Sequence, residues 1–235
     1  MKHVIVSCEL PEKCLKELTA RGFEPISMPR YGRLQYGVSA HPDMLLFLLG
    51  DICITTSEYY GIARESFEKI KSLGYTLRLT DEIPSPEYPK DILFNSLLLG
   101  GTLYGNERGM SCELVSLARE RGIDIVNVRQ GYTKCSVLKV SENAIVTADK
   151  GIAKVASARG DDVLLISAGH IRLDGYDTGF IGGCAGETED AVYFCGDLFC
   201  HPDGARIAEF CKNHEKECVS LGNNELFDAG SLFFL

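Results

Sequence analysis

Five short β-like segments recur along the chain at near-equal intervals, and this leaves few folds open. They lie at residues 3–6, 52–55, 101–104, 144–147 and 192–195. With Val6, Ile54, Leu103, Val146 and Phe194 taken as equivalent, the steps are 48, 49, 43 and 48 residues. The step from Phe194 past the chain end and back to Val6 is 47, so five steps use up all 235 residues. Self-similarity at a period of roughly 20–50 residues marks a repeat architecture. A repeat whose count completes only when the two chain ends are joined points to a closed ring.

Each anchor leads into a helix-like stretch, at residues 11–21, 62–73, 111–121, 151–158 and 202–214. Apolar side chains fall three and four apart in each: Cys14 and Leu18, Phe67 and Ile70, Leu114, Leu117 and Ala118, Ile152 and Ala156, Ile207 and Cys211. That spacing gives every helix one apolar stripe. Pro11 and Pro202 suit a first helical turn, and Gly22, Gly74, Gly122 and Gly160 suit helix ends. A β-like run follows each time, and another apolar segment precedes each anchor, at 44–49, 92–99, 136–140, 179–183 and 232–235. The unit therefore reads strand, strand, helix, strand. The modules are expected near 39–80, 88–130, 131–167 and 176–222, with 225–235 completed by 1–27, all within a single domain spanning 1–235. An ordinary doubly wound sheet also alternates strands and helices. A dinucleotide fold, however, wants a glycine-rich turn after its first strand, and Ser7, Cys8, Glu9, Leu10 and Pro11 follow here.

The net charge of -9 argues against nucleic acid as a partner. Acidic and basic residues follow Val6 too soon for a secretory segment, and no run approaches the ~20 apolar residues of a membrane span. Ten cysteines without a secretory signal read as free thiols in a reducing, cytoplasmic compartment. Cys195, Cys200 and His201 give a loose Cys-x4-Cys-His run one ligand short of a structural zinc site. Neither a metal nor a cofactor is expected.

Polar residues, most of them ionisable, stand where the first strand of each module begins. They are His41 and Asp43; Asp91 and Asn95; Tyr132, Lys134 and Cys135; His170 and Asp177; and Asp228. Five strand-strand-helix-strand modules with such starts resemble the pentein fold, the five-bladed pseudo-symmetric α/β-propeller of the guanidine-modifying enzymes. The chain also looks like a divergent bacterial branch of that superfamily. The resemblance implies closure by pairing of the N- and C-terminal strands. It also implies a central acidic site for a small cationic guanidino or amine compound, bound or hydrolysed there. A planar cation wants carboxylates. In the family a Cys attacks the guanidinium carbon and a His moves the proton. The segment around Tyr132 is similar to the family's His-bearing segment, and the C-terminal strand to its Cys-bearing one. On that match Tyr132 takes the place of the His, and Phe233 or Phe234 that of the Cys. A rearranged site would use Cys135 as nucleophile with His41 or His170 as base. The remaining candidates, His41, Asp43, Asp91, Asn95, Tyr132, Lys134, Asp177 and Asp228, would bind the ligand. The alternative is a binding or scaffolding protein without catalysis.

Overall fold

The computed structural model describes residues 2–235. In chain order the elements are β1 (Lys2–Ser7), α1 (Glu12–Ala20), β2 (Phe23–Met28), α2 (Pro42–Leu45), β3 (Phe47–Leu49), β4 (Ile52–Thr56), α3 (Ser57–Ile62), α4 (Arg64–Ser72) and β5 (Thr76–Thr80). Next come β6 (Leu97–Leu99), β7 (Thr102–Gly105), α5 (Cys112–Glu120), β8 (Asp124–Asn127), α6 (Thr133–Ser136), β9 (Val137–Ser141), β10 (Ala144–Thr147), α7 (Lys150–Ala158) and β11 (Asp162–Leu165). The chain finishes with β12 (Ala185–Glu187), β13 (Ala191–Phe194), α8 (Gly204–Asn213), β14 (Glu217–Ser220) and β15 (Phe233–Phe234).

These strands form five three-stranded sheets: β3-β4-β5, β6-β7-β8, β9-β10-β11, β12-β13-β14 and β15-β1-β2. In each, the first strand runs antiparallel to the middle one and the third runs parallel to it. A parallel pair needs a crossover connection, which is why every module carries a helix between its second and third strands. The fifth sheet unites the chain ends. Val4 pairs with Phe234 and Ile5 with Phe233, so the wrap-around step of the repeat is a real strand pairing.

The helix stripes bury the residues that their spacing singled out, including Leu18, Phe67, Ile70, Leu114, Ile152 and Ile207. The clusters they join cross module boundaries. Ile5, Ile26 and Met28 of the terminal sheet pack with Met44, Phe67 and Ile70 of the next module. One module alone could not bury such a face, and closure supplies the missing neighbour. Gly22, Gly74, Gly122 and Gly160 all adopt positive φ after their helices, while Glu215 at +60° takes the corresponding turn after α8.

Three details differ from the sequence expectation. Residues 179–183 are not a strand; the inner strand of that module is β12. The glycines there sit too close to other groups for a regular pleat: a Cβ on Gly182 would lie 2.2 Å from Val137 O. Pro11 caps α1 from outside, and Pro202 precedes α8 by two residues. The single-turn helices α2 and α6 occupy what the apolar pattern suggested was strand, so β3 and β9 begin late. No helix among the described residues is long and apolar enough to cross a membrane.

Candidate functional site

Five segments meet where the chain enters the inner strands, and hydrogen bonds tie them into a belt. Asp43 N donates to Gly230 O (3.1 Å), Thr133 N to Asn95 O (3.2 Å) and Gly183 N to Cys135 O (3.0 Å). Ala229 N and Ser231 N both donate to Gly183 O, at 3.0 and 2.8 Å. A side chain makes the remaining link, Asn95 Nδ2 to Asp43 O at 3.4 Å. The belt passes through all five modules and brings their polar side chains together.

Asp43 lies at the centre of this cluster, with no exposure at all. Its Oδ2 accepts from Ser231 Oγ at 2.7 Å and from Cys135 Sγ at 3.1 Å. Asn95 donates to Cys135 Sγ at 2.9 Å and accepts from the backbone N–H groups of Lys134 and Cys135 at 2.9 and 3.2 Å. Lys134 Nζ donates to Ser231 Oγ at 3.3 Å. Burial raises the Asp43 carboxyl above its usual range, and it raises the Cys135 thiol well above its own. The charges of Asp43 and Asp228 push the thiol further in the same direction. A nucleophilic cysteine needs the opposite environment, one that favours thiolate. Here the thiol is a buried donor to a carboxylate.

The second polar pair is His41 and Asp228. Asp228 Oδ2 accepts from Phe180 N at 2.9 Å and Oδ1 from Gly230 N at 3.0 Å. His41 Nδ1 stands 3.6 Å from Oδ1 and has no hydrogen-bond partner. Close packing depends on missing side chains. A Cβ on Gly183 would meet Asp228 Oδ1 at 2.1 Å, and one on Gly230 would meet His41 Cβ at 2.2 Å. Both residues line a cavity of about 300 Å³ on the loop side of the ring, together with Glu9, Arg30, Tyr36, Arg172, Asp174 and Phe227. Arg30 is paired with Glu9 and lies over the Tyr36 ring at 3.7 Å. Arg172 stands 3.6 Å from Asp174. Three carboxylates against two arginines leave one negative charge uncompensated in the lining. Burial lowers the His41 pKa, which keeps the ring neutral.

Burial also pushes Asp228 up, to about 6, against the opposing pull of its two backbone N–H donors and Lys134. The folded protein therefore takes up this proton more readily than the unfolded chain. Its contribution to stability is fully present below about pH 4 and is lost as pH rises through about 6. The expected change is about 3 kcal/mol. Urea unfolding at pH 4 and pH 7 should show this component in the wild type and lack it in Asp228→Asn.

The other expected site residues divide. Asp91 is buried beside the belt and accepts from Tyr132 Oη at 2.5 Å; the Tyr132 ring also stacks with Phe180 at 6.3 Å. His170 does not approach Cys135, so the expected catalytic pairing is not formed. Gly169 and His170 adopt successive positive φ values of 92° and 63°, which turn the chain outward. The exposed His170 ring packs edge-on against His201. Asp177 is exposed on the same loop. Glu9 and Arg30, which lie on loops rather than at module starts, were not among the sequence candidates, while Asp174 stands in the fourth segment with His170 and Asp177. Sequence reasoning also passed over Ser231, which lies within the fifth segment. Cys195 is buried and Cys200 exposed.

The match to known families is decided over nearly the whole chain. Residues 5–233 match the model of the Family of unknown function (DUF6873). The chain belongs to that family. No curated protein matches it. Among solved structures it is similar to dimethylarginine dimethylaminohydrolase as an adduct with S-methyl-L-thiocitrulline. The identity is 11%, the TM-score is 0.59, and the match covers 94% of this chain and 92% of the other. The Pseudomonas aeruginosa enzyme complexed with citrulline matches at 11% identity and TM-score 0.56, again over 94% and 92%. C. jejuni agmatine deiminase with substrate bound matches at 8% identity and TM-score 0.58, over 99% and 92%. This member of the DUF6873 family has the pentein fold, the five-module propeller that its repeat spacing implies.

Proposed function

We propose that the chain binds a small cationic guanidino or amine compound in the loop-side cavity, without covalent thiol chemistry. The observation that carries this reading is the Asp228 carboxylate at a cavity wall beside a neutral His41, with one lining charge left unmatched. A cation there would compensate the lining charge that Arg30 and Arg172 leave unmatched. The fold adds an analogy: several solved proteins that share it at low identity are described with arginine-like compounds bound, such as citrulline and S-methyl-L-thiocitrulline. Covalent chemistry is left out because Cys135 is a sealed thiol donating to Asp43 and no imidazole approaches it. Catalysis without a covalent intermediate is a separate reading, supported by the His41–Asp228 contact alone.

Calorimetric titration with agmatine tests the proposal. Binding should weaken about tenfold from pH 7 to pH 5 as Asp228, with its pKa of about 6, takes up a proton. It should be lost in Asp228→Asn, and intact mass after incubation should show no adduct. Binding that is indifferent to both pH and the Asp228 substitution would sink the reading, and an adduct on Cys135 would restore the covalent one.

A further inference from the structure

A recess of about 170 Å³ draws lining residues from all five inner strands: Leu48 of β3, Leu98 of β6, Lys139 of β9, Glu187 of β12 and Phe233 of β15. It therefore lies on the pseudo-fivefold axis, and it shares no residue with the cavity of His41 and Asp228. Lys134 reaches it from the belt.

Lys134 is the residue that needs explaining. Its ammonium is half-buried and makes one hydrogen bond, to Ser231 Oγ at 3.3 Å, and it lies 5.5 Å over the Phe233 ring. The Ser231 hydroxyl in turn donates to Asp43 Oδ2 at 2.7 Å. No carboxylate oxygen among the described residues lies within 4.0 Å of Lys134 Nζ. An ammonium has three N–H donors, and a single hydrogen bond leaves two of them open, with the charges of Asp43 and Asp228 acting on it only at longer range. The other charges of the recess do not pair with it. Lys139 is held by Glu142 at 2.5 Å, and Glu187 lines the recess without reaching Lys134. Apart from Ser96, the remaining walls are leucine and phenylalanine, so the recess pairs one cationic point with a largely apolar shaft.

We propose that this recess binds a short aliphatic carboxylate, its head on Lys134 and its tail along Leu48, Leu98 and Phe233. A strongly hydrated anion such as phosphate would gain the charge but lose its water to apolar walls. A neutral alkane would leave the ammonium unpaired. Only a ligand with both parts satisfies both surfaces. The proposal stands apart from the cation site, since the two linings share no residue.

Ligand-observed NMR and calorimetry on the full chain test it, with valerate, pentylamine and inorganic phosphate as probes. Valerate should bind saturably and the other two should not. Lys134→Met should weaken valerate about tenfold or more, the loss expected when charge-assisted hydrogen bonds are removed. Leu98→Phe, which keeps the charge and fills the shaft, should weaken it as well, so the proposal remains testable should Lys134→Met fail to fold. Valerate binding unchanged in either folded variant overturns the site, as does the absence of saturable valerate binding by the wild type. Preference for pentylamine would assign the recess to Glu187 and overturn it equally.

Discussion

Gly230→Ala should cost about 4 kcal/mol of stability and abolish the cation site together. The added methyl would lie 2.2 Å from His41 Cβ and 2.3 Å from His41 Cα. Neither atom is the flexible tip of a side chain, so the backbones of two modules must separate. The φ of Gly230, +74°, adds the strain that any L side chain meets in the left-handed region. The separation would break the belt where Asp43 N donates to Gly230 O, and it would pull His41 away from Asp228. Chemical denaturation at pH 7 checks the first effect and agmatine titration the second. Gly222→Ala is the useful contrast, because its nearest neighbour would stand at 3.5 Å and its φ is unremarkable; that variant should stay within ~0.5 kcal/mol of the wild type.

Ending the chain after Ser231 should cost more, about 5 kcal/mol or greater, and bring the protein close to unfolding at 37 °C. Four residues carry this because they are one strand of the ring. Leu232 is buried, and Phe234 packs against both Phe23 and Tyr193, at 4.8 and 4.9 Å between ring centres. Losing β15 would also leave the inner edge of β1 unpaired, an invitation to strand pairing between copies. Circular dichroism and size-exclusion chromatography should show a lowered melting temperature with aggregation. An open array of four sheets would tolerate the same truncation.

The architecture was legible because its evidence is arithmetic. A step that returns to Val6 only by crossing the chain ends has a single physical meaning, and β1 paired with β15 is that meaning. The site was legible where it lies at module starts. Symmetry brings those positions to the axis, and His41, Asp43, Asp91, Asn95, Lys134, Cys135 and Asp228 all gather there. What they do could not be read from symmetry. Whether Cys135 is a nucleophile or a sealed donor depends on the Asp43 carboxylate 3.1 Å away and on burial, neither of which has a sequence pattern. His170 and Asp177 failed for a different reason. They follow an apolar run in the way many active-site residues do, but two consecutive positive φ values send the loop to the surface, and only the first of them falls on a glycine. Residues 179–183 looked like a strand because phenylalanine and isoleucine stand among the glycines. The glycines were serving close approach to Asp228 and Val137 instead. Glu9 and Arg30 sit on loops outside the repeat, so no periodicity marked them.

The most direct test of the account is a crystal structure of the chain grown with saturating agmatine at pH 7.5. The account predicts ordered density for the cation on the loop side of the ring, within hydrogen-bond reach of Asp228, with Cys135 unmodified and still donating to Asp43. Density bonded to the Cys135 sulfur, or a cavity holding only water while agmatine sits elsewhere, would contradict it.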